Sequence, residues 1–151
     1  MKENRLSGLV EHMTYVPKSW GSEVWVVNND VYCGKVLRVS ASKYCSFHYH
    51  KIKEETLTIV SGKVLMLYSD RPEATTLASE SSTADVPVLS KLLYPGQAWH
   101  VMPGHIHQFF ALEDSVIFET STQHFDDDSY RVSTELQNHS TINIAEWWMG
   151  A

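Results

Sequence analysis

Two histidines one residue apart and a glutamate just downstream stand in Ser46-Phe47-His48-Tyr49-His50-Lys51-Ile52-Lys53-Glu54-Glu55, and the three can converge on one metal ion. A strand alternates its side chains between faces, so His48 and His50 share one face while Phe47 and Tyr49 take the other. Further on, the turn signal Pro103-Gly104 leads into His105-Ile106-His107 and the apolar run Gln108-Phe109-Phe110, and His107 is expected as a fourth ligand. Imidazole suits Zn, Fe, Ni and Cu, and a carboxylate shifts the balance toward Mn or Fe. The set therefore implies a divalent metal without choosing among Zn, Mn, Fe and Ni. An octahedral ion with four protein ligands keeps open positions for an adjacent pair of substrate oxygens, whereas a tetrahedral zinc would be closed.

Such ligands need strands to hold them, and most of the chain reads as β. Strands are expected over Glu23–Asn28 and Val31–Ser40, joined by the hairpin signal Asn28-Asn29-Asp30, then over Cys45–Tyr49, Glu55–Val60 and Lys63–Tyr68. They resume over Val88–Leu93, Ala98–Val101, His107–Leu112 and Ser115–Thr120. Lys51–Glu54 is the expected link between the first two ligand strands. Leu6, Leu9, Val10 and Met13 have helical spacing weakened by Gly8, which predicts a short helix or an extended arm up to about Tyr15. Ser69–Pro87, poor in large aliphatics, reads as a long surface loop, with a lid over the barrel mouth as the alternative. The apolar tail around Trp147-Trp148 is expected to pack on the barrel or on a second subunit.

With 151 residues, 43% hydrophobic and 20% charged, the chain suits one domain able to bury a core without staples. The net charge of -6 argues against a broad nucleic-acid face. No apolar run reaches the roughly 18 residues of a membrane span, and no signal core follows Met1-Lys2-Glu3-Asn4-Arg5, so a cytoplasmic protein is expected, with Cys33 and Cys45 reduced.

These residues resemble the two cupin motifs: Gly34, His48, His50, Glu55 and Gly62 in the first, and Gly96, Pro103 and His107 in the second, over about Trp20 to Glu119. The resemblance implies an all-β fold, the cupin double-stranded β-helix or jelly-roll barrel, with short N- and C-terminal extensions. It implies one domain over residues 1–151 with a barrel core of about 20–122. It also implies a divalent metal inside the barrel on His48, His50, Glu55 and His107. Only Gly104 separates Pro103 from His105, so His105 competes with His107; the family ligand lies just ahead of a strand such as Gln108–Ala111, which favours His107. The leader Lys18-Ser19-Trp20-Gly21-Ser22-Glu23, the strand Tyr32–Leu37, and Glu119-Thr120-Ser121-Thr122-Gln123-His124 with Asp127 and Arg131 resemble the mannose-6-phosphate isomerase (type II) group, although Ser19 replaces a proline often found there.

That second resemblance implies aldose–ketose isomerisation of a sugar or sugar phosphate through an enediol, the metal acting as a Lewis acid and a side chain moving the carbon-bound proton. Glu119, Lys35, His105 and His124 are the candidates. Lys35, if inward, would pair with Glu119 or take a phosphate; if outward, it is solvent cover. Arg131 would clamp a phosphate or neutralise Asp127 and Asp128. Lys43 belongs to a group of cations around the first motif that could meet a phosphorylated ligand, and Tyr49, with Tyr44, Phe47, Trp99 and Phe109, could offer a flat face to a sugar ring or simply fill the core. The same ligand shell also suits an iron-dependent dioxygenase or a non-catalytic metal- and sugar-binding module. Cupins often pair, so a homodimer is expected, with no membrane or nucleic-acid partner.

Overall fold

Runs in which every second residue is apolar can only bury that set by pairing into sheets, and they do so in the computed structural model, which describes residues 6–69 and 88–132. Its strands are β1 (Thr14–Lys18), β2 (Gly21–Asn28), β3 (Cys33–Val39), β4 (His48–Tyr49), β5 (Glu55–Ser61), β6 (Val64–Tyr68), β7 (Leu89–Leu93), β8 (Ala98–Val101), β9 (His107–Ala111), β10 (Ser115–Ser121) and β11 (Tyr130–Arg131). They form a six-stranded sheet in the order β1-β2-β3-β10-β5-β8 and a five-stranded sheet in the order β11-β4-β9-β6-β7, with antiparallel pairing throughout. This is the expected jelly roll of two facing sheets. No helix among the described residues is long and apolar enough to cross a membrane.

The N-terminal segment departs from the helical alternative: Leu6–Met13 is irregular and exposed, and the chain then enters β1 at the edge of the first sheet. β3 starts at Cys33 rather than Val31 because the Asn29 side chain accepts the amides of Val31 and Tyr32, closing a turn that outcompetes the ladder. The expected loop falls almost wholly within residues 70–87, and Trp147-Trp148 within 133–151, both outside the described residues.

Register sorts the barrel interior into layers. Leu37, Ile117 and Ile59 stand side by side on β3, β10 and β5, and with Val39, Val64, Met66, Phe109 and Ala111 they fill one end with hydrocarbon. One layer along, the row becomes Trp25, Lys35, Glu119 and Leu57, and the next holds Cys33, Ser121 and Glu55. The barrel therefore has an apolar end and a polar end. β6 reads as an unbroken apolar run because it is buried on both faces, as β9 is: Leu65, Leu67 and Phe110 join Phe47, Tyr49, Ile106 and Val132 in a second core on the far side of their sheet. Gly62 follows β5 at φ +90°, and a Cβ there would lie 2.2 Å from Ser115 Oγ, so both the backbone and the space require glycine.

Candidate metal centre

β4 supplies His48 and His50 from its own residues and its immediate exit, and β9 supplies His107 directly opposite His48 in the ladder. One ring nitrogen from each of the three lies within 4.8 Å of the others. In each ring Nδ1 is held by a backbone carbonyl: Ser46 O for His48 at 2.6 Å, Asp128 O for His50, and His105 O for His107 at 3.0 Å. Donating from Nδ1 fixes the tautomer that leaves the Nε2 lone pair facing inward, the arrangement of a metal-ligating imidazole. Burial, and then the neighbouring His107 and His50 rings, hold the His48 pKa well below its ordinary value, which keeps that ring neutral and able to ligate. His50 Nε2 is buried with no hydrogen-bond partner among the described residues, an orphan that a bound cation would satisfy. The donor set therefore fits a divalent metal.

Glu55 opens β5 and stands beside the three rings, with Oε1 2.8 Å from His107 Nε2 and 3.6 Å from His50 Nε2. Its other oxygen meets Lys53 Nζ at 3.0 Å, and the same ammonium reaches Glu119 Oε2 at 3.3 Å. All three groups are buried. Burial works to raise the Glu55 pKa, but the Lys53 ammonium and the adjacent His107 and His50 rings outweigh it and hold the carboxyl well below the usual range. Burial likewise works to lower Lys53, and the two carboxylates win, holding it above its ordinary value. One cation serves two anions, and Glu119 is the weaker partner: burial, then the charge of Glu55, raise its affinity for a proton.

The link carrying Lys53 is folded inward by a residue far along the chain. Buried Asp128 accepts the backbone amides of Lys51 at 2.8 Å, Ile52 at 3.2 Å and Lys53 at 3.0 Å, while its own carbonyl holds His50. Gly104, at φ +87°, donates its amide to His50 O at 2.7 Å and so ties the second motif to the first.

A cavity of about 710 Å³ opens over the polar end and is lined by the three histidines, Glu55, Lys53, Glu119, Lys35, Glu23, Trp25, His124 and Arg131. Lys35 faces inward: it is 1% exposed, with Nζ 3.6 Å from Glu23 Oε2 and 4.3 Å from the centre of the Trp25 ring. Arg131 lies at the exposed mouth, and Asp128, which it was expected to neutralise, serves the loop amides instead.

Three expected site residues lie elsewhere. His105 precedes β9, in the turn where its amide bonds Met102 O, and it borders a second cavity of about 200 Å³ with Tyr68, Trp99 and His107, not the large one. Tyr49 takes the opposite face from His48 and His50, stacked on Tyr130 in the second core. Lys43 is exposed in the turn before Cys45, where its backbone pairs with Ser40 and Ala111. Glu23 and Trp25 were not singled out from sequence as site residues, and Lys53 was expected only as one of the cations around the first motif that a phosphorylated ligand could meet. Burial raises the Cys33 thiol and pushes Cys45 up to about 12, so neither is activated as a thiolate.

Residues 21–146 match the family model of D-lyxose isomerase. Among solved structures, the capsular polysaccharide assembling protein CapF from Staphylococcus aureus aligns at a TM-score of 0.65 and 17% identity, over 81% of this chain and 33% of its own. Oxalate decarboxylase from Lactobacillus farciminis aligns at 0.63 and 14% identity over 86% of this chain and 38% of its own, and KdgF from Halomonas sp. at 0.59 and 16% over 78% and 93%. The chain thus spans about a third of the length of CapF, and at these identities the likenesses carry the fold alone. No curated protein matches the chain.

Proposed function

The chain belongs to the D-lyxose isomerase family, and from that membership and the polar end of the barrel we propose a metal-dependent isomerase that interconverts an aldose such as lyxose with its ketose. The observation that carries the reading is the Lys53 ammonium shared between Glu55, beside the three histidines, and Glu119, a buried carboxylate lining the same cavity. A divalent metal on His48, His50, Glu55 and His107 supplies Lewis-acid polarisation of the sugar's carbonyl and hydroxyl oxygens.

The chain's own residues then handle protons. Glu119, whose proton affinity burial raises, takes the proton from C2 and returns it to C1. Lys53 supplies a proton to the oxygen that becomes a hydroxyl and recovers one from the oxygen that becomes the carbonyl, so the sugar gains and loses nothing overall. The hydrocarbon end of the barrel keeps water from this pair on one side. A phosphate on the substrate would have Arg131 and Lys18 at the mouth to meet it. The homodimer belongs to the same reading, supported by Leu6, Leu9, Val10 and Met13, which are 92%, 86%, 58% and 59% exposed beside the edge strand β1; light scattering of the full chain tests it.

Incubating the metal-loaded protein with lyxose in deuterated water without oxygen tests the isomerase reading. Deuterium at C1 of the ketose, or at C2 of recovered aldose, is the expected result. Unlabelled, unchanged sugar with a full metal complement would overturn it.

A further inference from the structure

Aldoses in water are closed rings, and the C1 carbonyl needed for isomerisation exists only after the C1–O5 bond opens. Opening requires a base for the O1 proton and an acid for the ring oxygen, and the two oxygens are neighbours on one carbon. Lys53 and Glu119 are occupied with C1, C2 and their oxygens in the reading above. On the neighbouring strand of the same layer, and in the segment that follows β10, the cavity carries a second donor and acceptor that this reading leaves idle.

The acceptor is His124. Its Nε2 meets Asp126 Oδ1 at 3.1 Å, which orients the ring, and its Nδ1 makes no hydrogen bond among the described residues. The Asn28 side chain fixes its backbone from both sides, accepting its amide at 2.8 Å and donating to its carbonyl at 3.1 Å. The donor is Lys35, whose buried ammonium has an ion pair at 3.6 Å to Glu23 but no hydrogen bond among the described residues. The Trp25 ring touches both, with Lys35 Nζ 4.3 Å and the His124 ring 4.9 Å from its centre, so acid and base flank one indole at the cavity wall. Burial, then the charges of Lys35 and Lys53, lower the His124 pKa to about 4, which leaves its lone pair free at neutral pH.

We propose that His124 and Lys35 open the sugar ring, giving the protein an anomer-interconverting activity beside isomerisation; this rests on the cavity being a sugar site. His124 Nδ1 takes the O1 proton, the freed electron pair forms the C1 carbonyl, the C1–O5 bond breaks, and O5 takes a proton from Lys35 Nζ. Closure on the other face of C1 reverses each transfer and restores both residues.

Exchange spectroscopy by NMR on the full-chain, metal-loaded protein tests this with two sugars: lyxose, and lyxose lacking its C2 hydroxyl, which can change anomer but cannot isomerise. The expected result is α–β exchange at least about tenfold faster than in buffer. His124→Gln and Lys35→Met should each return exchange to the buffer rate with metal content and circular dichroism unchanged. Wild-type exchange at the buffer rate with both sugars overturns the proposal, as does full acceleration in His124→Gln. Ketose formation without faster anomer exchange sinks this inference and leaves the isomerase reading standing. Faster exchange lost in His124→Gln, with no ketose formed by wild type, does the reverse.

Discussion

At the residue scale the site depends on who shares a proton with whom. If Glu119 is the base as proposed, Glu119→Gln keeps shape but cannot accept the C2 proton, and kcat is expected to fall by about 10²–10⁴-fold with metal content intact, checked by steady-state kinetics beside elemental analysis. Lys53→Met leaves two buried carboxylates without their cation, and denaturant titration is expected to show a loss of about 3–5 kcal/mol. His124 carries a pH signature. Its folded pKa, about 4, lies below the ordinary 6.5, so the unfolded chain binds the extra proton. Its contribution to stability is complete above about pH 6.5 and is lost as pH falls toward 4. An imidazole midpoint near 4 in an NMR titration is expected, and one near 6.5 would refute it.

The three histidines were legible because a two-residue period needs no knowledge of the rest of the chain. The same alternation already turned Tyr49 away from them, a consequence outweighed by its appeal as an aromatic. His105 lies ahead of β9 in a turn, where a two-residue period has no force, and its carbonyl holds His107 Nδ1.

At the scale of elements, the decisive piece is the link between β4 and β5. Lys51–Glu54 reads from sequence only as a link between strands, because nothing within it demands burial of Lys53. Asp128 imposes that burial from 75 residues away, and no local pattern in the link encodes a partner so distant. Asp128→Ala frees the amides of three consecutive residues and loosens the frame of His50 and Lys53. Metal affinity is expected to drop about 10–100-fold in a chelator competition, the scale of losing a group that orients a ligand. Most strands, by contrast, were legible, since β-branched and apolar alternation survives wherever one face is wet. The boundaries slipped where side chains captured the backbone, as Asn29 does ahead of β3.

Across the whole molecule, one barrel is divided between two solvents. Hydrocarbon at one end makes the frame stiff, and ionisable groups at the other are costly to bury without partners or a metal. Metal that binds only the folded protein must therefore stabilise it, by about 2.7 kcal/mol at a free concentration a hundred times Kd. A calorimetric Tm that falls on adding chelator and recovers with divalent metal is expected; a Tm indifferent to both would mean that the polar end does not hold an ion.

His50 finds its carbonyl partner 78 residues downstream, and His48 its ladder partner on β9. During synthesis, therefore, the first two ligands leave the ribosome long before anything exists to aim them. A nascent chain halted before Asp128 carries His48, His50, Glu55 and His107 yet lacks the clasp that sets two of the site's elements. Loading is thus a late event in the protein's life, coupled to completion of the barrel rather than to emergence of the motif, and a translating chain offers the cell's metal pool no finished site until its last described strand is nearly made.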